Sequence, residues 1–181
     1  MPLEAFNLLG DALWLDFVNS ARGRVPAPPD LLDDPAAFPR WCALHHLETA
    51  PEPPALPQVL EFRDRLTELA LAMHDGRQPP AGAIAALNEQ LARSAGRQQL
   101  TRLGGEWDLR FAPIHPLAPL ETIARSAATT LADARIAVRR CAGEDCSLFF
   151  SDDSPTGSRR WCDPAVCGSH ARVERRRGIR R

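Results

Sequence analysis

Four cysteines in two equally spaced pairs constrain this chain more than any other feature. Cys141 and Cys146 are separated by four residues, fifteen residues follow, and Cys162 and Cys167 repeat the first spacing. Four thiolates match the tetrahedral preference of Zn2+ and fill its shell. A segment of about 40 residues cannot stabilise itself by burial alone, and structural zinc contributes ~10–16 kcal/mol of folding energy. Four protein ligands leave no position for water, so the metal is expected to be structural and not hydrolytic. Disulfides and an iron–sulfur cluster are the alternatives for such a pattern. His170, three residues after Cys167, is expected outside the coordination shell.

The residues around the cysteines suggest how they converge. Cys141 to Cys146 reads as a turn, and Ser147-Leu148-Phe149-Phe150 as a strand. A polar loop, 151–158, then leads to Arg159-Arg160-Trp161-Cys162, read as the returning strand. Asp163 can cap a helix with Pro164 at its first position. That helix would take in Cys167 and run to about Arg177. Two ligands from a turn and two from a helix start resemble the treble-clef arrangement, a ββα module.

Charge divides at the same place. The net charge of -1 hides an acidic body and a basic end: residues 1–138 hold twelve arginines and seventeen carboxylates, residues 139–181 ten and six. Arg172, Arg175 and Arg176 fall at i, i+3 and i+4, and Arg177 extends the row. Arginine binds phosphate through paired hydrogen bonds, and phosphate neutralisation supplies most non-specific affinity for nucleic acid. Arg159, Arg160, Arg172, Arg175, Arg176 and Arg177 are therefore the expected nucleic-acid contacts, with DNA as partner. A solvated tail or a binder of acidic protein surfaces is the other reading. Phe149, Phe150 and Trp161 could stack on bases, but packing around the metal is the expected role.

The preceding 136 residues read as a helical domain. Helices are expected over 11–22, 35–47, 57–75, 81–95 and 117–134, from apolar residues at helical spacing. Alternation of Trp107, Leu109 and Phe111 with Glu106, Asp108 and Arg110 after Gly104-Gly105 predicts a hairpin of strands 98–103 and 106–112. Residues 136–138 read as strand or link. The expected fold is mainly α: a helical domain with a small β-hairpin over 1–136, then the zinc-binding module over 137–181. Asp16 and Asn19 interrupt the apolar pattern of the first helix. They read either as solvated or capping residues or as a polar patch lining a ligand pocket. Charged Glu61, Arg63, Asp64, Arg65 and Glu68 read as surface pairs. Cys42 reads as a small buried hydrophobe, and His45-His46 as surface or core.

Several classes are set aside. There is no run of eighteen apolar residues for a membrane span, and the first residues lack the features of a secretory signal. A cytoplasmic protein is expected, in which paired cysteines favour metal over disulfide. No P-loop, Gly-x-Gly-x-x-Gly or Gly-x-Ser-x-Gly occurs, and no enzyme is expected. An enzyme would need a polar pocket holding groups such as Asp16, Asn19 or His115.

Arg140-Cys141-x4-Cys146, Leu148-Phe149-Phe150, Gly157-Ser158-Arg159-Arg160-Trp161-Cys162 and Cys167-Gly168 resemble the CGNR zinc finger. Leu15-Asp16-Phe17-Val18-Asn19-Ser20 resembles the opening of the ABATE domain that usually precedes it. The resemblance implies a bacterial family regarded as stress-induced transcription regulators, with a mainly helical N-terminal domain. It implies Cys141, Cys146, Cys162 and Cys167 as zinc ligands. It carries the expectation of a regulator that binds DNA and whose N-terminal domain senses a small-molecule effector or forms a homodimer. The alternative is a zinc-scaffolded module for protein partners without nucleic-acid binding. Where the family has Cys-Gly-Asn-Arg, this chain has Cys167-Gly168-Ser169-His170, so the motif's arginine is missing.

Overall fold

Every residue from Trp14 to Asn19 is buried, so the first helix, α1 (Leu13–Asn19), is the centre of the molecule. The computed structural model describes residues 6, 8–23, 30–48 and 53–169. After α1 come α2 (Ala37–Leu44), α3 (Leu56–His74), α4 (Ala81–Arg93), β1 (Gly96–Leu103), β2 (Glu106–Pro113), α5 (Pro119–Ala132), β3 (Ala137–Arg140) and β4 (Phe149–Asp152). α1 packs on α3, α5 and β4, and α4 packs on α3 and α5. A helix wrapped on all sides shows no polar face, and this is why a stripe-based reading of residues 11–22 describes it poorly.

Local chemistry sets the helix ends. Proline occupies the first turn of α3 and of α5, where its missing N–H costs nothing. The core holds Trp14, Phe17, Phe38, Trp41, Leu66, Leu69 and Ile123. Phe17 meets Trp41 at 5.3 Å and Phe38 at 5.9 Å between ring centroids. The buried indole of Trp14 donates to Thr130 Oγ1 at 3.0 Å, which satisfies its polar handle. Cys42 is fully buried, and burial pushes its thiol up to about 12, so it is inert. His45 lies against Trp41 at 4.3 Å.

Arg63 departs from the surface-pair expectation. Only 4 % exposed, it reaches from α3 to Ser20 Oγ at 3.0 Å and to both carboxylate oxygens of Asp30. Asp30 in turn takes the Leu32 N–H. The arginine thus pins the chain after α1 to α3, and no apolar residue could satisfy those groups. Arg65 and Glu68 do pair on the surface.

Among the described residues, two antiparallel two-stranded sheets complete the fold. β1 and β2 form the hairpin, with Leu103 opposite Glu106 across Gly104-Gly105. Both glycines have positive φ, 58° and 93°, as a two-residue hairpin turn demands. The second sheet pairs Ala137–Arg140 with Phe149–Asp152. Here the structure corrects the expected strand partner. Arg159–Cys162 lies in neither sheet; the Arg159 side chain folds back onto the Trp161 and Cys162 carbonyls. The strand that pairs with β4 is β3, directly before Cys141. A helix begins at residues 167–169, and the course expected for it beyond residue 169 lies outside the described residues. Among the described residues no helix is long and apolar enough to cross a membrane.

Candidate metal centre and its docking on the helical body

The turn that carries the first cysteine pair is the connection between β3 and β4. The Cys141 N–H donates to Leu148 O at 2.9 Å, and the Cys146 N–H to Gly143 O at 3.1 Å, closing the turn on itself. A Cβ at residue 143 would lie 3.1 Å from Cys146 Cβ and 3.5 Å from Cys167 Sγ. Glycine relieves the crowding against Cys146 inside the turn, and leaves ordinary contact distance to Cys167. The second pair is placed by Asp163. Its Oδ1 accepts from the Ala165 and Val166 N–H groups at 2.9 and 3.2 Å, and its carbonyl from the Cys167 N–H at 2.9 Å. This is the helix cap read from Asp163-Pro164.

All four sulfurs lie within 4.8 Å of one another, and all four cysteines are buried. Cys146–Cys162 and Cys162–Cys167 are each separated by 3.8 Å between sulfurs. A tetrahedral ion with Zn–S of about 2.3 Å requires sulfur–sulfur edges of about 3.8 Å. A disulfide requires about 2.05 Å, and all five cysteines are free. The donor set fits one structural zinc held by Cys141, Cys146, Cys162 and Cys167.

Electrostatics agree with the geometry. As thiols the four groups compete for protons. Cys141 is pushed far down because Cys146 and Cys162 donate to it, with the Cys162 N–H adding a bond at 3.4 Å. Cys162 is pushed up by its hydrogen bonds to Cys141 and Cys146, and Cys167 is pushed up to about 11 by burial and its charged neighbours. A divalent cation removes this conflict by stabilising every thiolate at once. Leu148, Phe150, Leu9 and Trp161 pack around the cluster and keep water from it.

The module is not hung from the body by a linker. Phe149 and Val138 belong to the helical core, while Phe150 packs on the cysteines. Successive β4 side chains point to opposite faces, so one strand serves both cores. Asn19 holds that strand. Its Nδ2 donates to Phe149 O at 2.8 Å, and its Oδ1 accepts from Phe149 N–H at 2.9 Å. The Ser151 N–H donates to Gly10 O at 2.8 Å, and Ser147 exchanges hydrogen bonds with the backbone of Gly23. Asp16 accepts the Gly10 N–H at 2.8 Å. It therefore braces the segment that β4 pairs with. Burial raises its carboxyl to about 6, against the Gly10 bond and helped by Asp11. Neither residue is solvated, and both are occupied inside the protein.

The expected arginine contacts separate into three groups. Arg159 is committed within the fold. Its guanidinium donates to Trp161 O at 2.9 Å, to Cys162 O and to Asp11, and lies 4.6 Å above the Phe150 ring. Arg160 is exposed, 4.8 Å from the Trp161 ring. Arg172, Arg175, Arg176 and Arg177 lie outside the described residues. Phe149 and Phe150 are fully buried, which excludes them as base-stacking platforms.

One organising residue has no sequence signal, because it is one acid among the polar residues of the 151–158 stretch. Asp152, 1 % exposed, accepts from Arg139 Nε at 2.7 Å, Arg159 N–H at 3.1 Å, Ser154 N–H at 3.1 Å and Ser154 Oγ at 2.6 Å. Burial opposes its charge, but the Ser154 and Arg139 donors outweigh burial and hold its carboxyl below the usual range. It ties the 151–158 loop and the Arg159–Cys162 segment to β3.

The family models divide the chain at the α5–β3 connection. Residues 11–134 match the ABATE model, described as "Putative stress-induced transcription regulator". The chain belongs to the ABATE family. Residues 137–180 match the CGNR zinc finger, in the order the motifs imply. No curated protein matches the chain. Within the ABATE region the motif Leu15–Ser20 is now physically explained. Its Asp and Asn are the residues that join the helical body to the zinc module, and its apolar members fill the core.

Proposed function

We propose that this ABATE-family chain is a non-enzymatic, zinc-dependent regulator that binds DNA through the arginines following its metal site. The observation that carries the reading is the position of Cys167. It is 6 % exposed within the metal cluster, and residues 168–181 directly after it hold six arginines against one glutamate. The metal anchors the start of a strongly basic segment to a rigid body. That pre-organisation lowers the entropy lost on binding a polyanion. Arg172, Arg175, Arg176 and Arg177 are the assigned phosphate contacts, and Arg160 is assigned the same role. Arg159 is assigned to holding the module together.

The helical body serves effector sensing or association. A groove of about 420 Å3 between α3 and α4, lined by residues including Gln58, Glu61, Arg65, Glu89, Gln90 and Arg93, is the place assigned to a small polar effector. Asp16 and Asn19 do not line it.

Fluorescence anisotropy of the zinc-loaded chain on duplex DNA tests the reading. Affinity should fall linearly on logarithmic axes with salt, by about 0.9 in slope for each phosphate neutralised. Chelation should abolish it. No binding at low salt with the metal in place sinks the DNA reading and leaves a protein partner for the basic segment.

A further inference from the structure

The β1–β2 hairpin carries an apolar face that the chain leaves uncovered. Leu100, Trp107 and Leu109 are 59 %, 68 % and 64 % exposed. The register places them together, with Arg102 and Phe111, on one face. The other face is mixed: Arg97, Thr101, Glu106, Asp108 and Arg110 share it with Gln99, Leu103 and Ala112. Only the base of the apolar face is covered, where Arg125 of α5 lies 4.7 Å over the Phe111 ring. A lone two-stranded ribbon is marginal in water, and a long uncovered edge is a template for another strand.

The hydrogen-bond parity of β2 identifies what its edge offers. The two-residue turn makes Leu103 and Glu106 the first hydrogen-bonded pair. Glu106, Asp108, Arg110 and Ala112 then turn their backbone groups to β1. Trp107, Leu109 and Phe111 turn theirs to the open edge. Pro113 sits at the next outward position, where it removes nothing from the β1 ladder.

We infer that β2 pairs antiparallel with β2 of a second copy, about a two-fold axis at Leu109, giving a four-stranded sheet β1-β2-β2′-β1′. In that register Leu109 faces its own symmetry mate, Trp107 faces Phe111, and Asp108 faces Arg110, each pair occurring twice. Apolar residues meet apolar ones, Asp108 meets Arg110, and Glu106 falls opposite Ala112 with no like charge facing it. The outward-facing Trp107, Leu109 and Phe111 are the residues whose N–H and C=O groups form the new ladder. Sliding by one step in either direction puts Asp108 against Asp108, or Arg110 against Arg110. An odd register brings apolar and charged faces together. The β1 edge carries Arg97 and Arg102 and no carboxylate, so pairing two copies there forms no acid–base pair. Pairing β1 with β2 of another copy is head-to-tail and does not close, whereas the β2 pairing closes as a dimer.

Oligomeric state measured without nucleic acid tests this, so the result stands apart from the DNA reading. Sedimentation velocity of the full zinc-loaded chain over a concentration series should show a reversible dimer. Asp108→Arg and Arg110→Asp should each weaken self-association about tenfold or more, because two pairs are affected at once. The double variant D108R/R110D should restore it. Leu109→Pro should also give monomer, since it removes an outward N–H and spares the β1 ladder. Circular dichroism of every variant checks that the helical body remains folded. A wild-type chain that stays monomeric overturns the inference. So does a dimer unmoved by the single swaps, or a folded double swap that stays monomeric.

Discussion

Asn19 and Phe149, 130 residues apart in sequence, exchange two hydrogen bonds through one side-chain amide and one backbone unit. The amide mimics a strand. It pairs the Phe149 peptide as a neighbouring β-strand would, on the side that β3 leaves open. A strand buried on all four positions must have its N–H and C=O groups met. The Asn19 side chain supplies the match, and with it the helical body recognises the zinc module.

Replacing Asn19 by alanine should therefore cost more than an ordinary hydrogen bond. It leaves a buried N–H and a buried C=O unmet, at about 1–3 kcal/mol each. We expect Asn19→Ala to lower stability by roughly 2–4 kcal/mol, measured by urea unfolding of the metal-loaded protein. A loss below ~0.5 kcal/mol would mean that water or a relaxed backbone replaces the amide at no net cost.

Removing the metal should unfold more than the module. Phe149 and Phe150 are adjacent on β4 and enter different cores, so disorder at the cysteines must reach the helical core through one residue. Elemental analysis should find one zinc per chain. Calorimetry after chelation should show a single transition at lower temperature. A loss of only ~4 kcal/mol corresponds to roughly 8–16 °C for a chain of this size. An unchanged melting temperature of the helical body would mean that the two cores are uncoupled.

The helices, the β1–β2 hairpin and the four ligands were legible in the sequence because their signals are local. Apolar spacing marks α3 and α5, Gly104-Gly105 marks the hairpin, and the cysteine spacing marks the site. What was not legible is long-range pairing of polar groups. Nothing near Asn19 announces Phe149, and nothing near Arg159 announces Asp11. A polar residue in an apolar helix looks alike whether it faces solvent or a buried strand. The β4 partner was misassigned for a related reason. Arg159–Cys162 has the residues of a strand, but its arginine is held by the Trp161 and Cys162 carbonyls and by Asp11. Those contacts hold the segment as a loop outside both sheets.

Asp16 gives the fold a pH dependence of known sign. Burial lifts its carboxyl to about 6 from the usual 3.8, with the Asp11 charge adding to the effect and the Gly10 bond opposing it. The folded state thus binds the proton more tightly than the unfolded state. The stabilisation is complete below the unfolded value and is lost as pH rises through about 6. Asp16→Asn keeps an acceptor for Gly10 and removes the charge. The stability of this variant relative to the parent should rise by about 1–2 kcal/mol between pH 5 and pH 7.5. Comparing the two proteins at each pH cancels the proton dependence of the metal site. A flat difference would show that Asp16 ionises in the folded chain as freely as in the unfolded one.

Arg159 and Arg160 are neighbours with opposite expected phenotypes. Arg159 spans the Trp161 and Cys162 carbonyls, Asp11 and the Phe150 ring. It thereby joins the segment before the second cysteine pair to the chain ahead of α1. Arg159→Ala leaves two carbonyls and a carboxylate without their donor, and should lower stability by about 2–3 kcal/mol. Any loss of DNA binding should follow the loss of folded protein and leave the salt slope unchanged. Arg160 is exposed over Trp161. Arg160→Ala should change stability by no more than ~0.5 kcal/mol, while lowering DNA affinity and reducing the salt slope by about 1. Denaturation and salt-dependent anisotropy on the same two variants decide the assignment. A stable Arg159→Ala protein with a reduced slope would move Arg159 from the scaffold to the DNA interface.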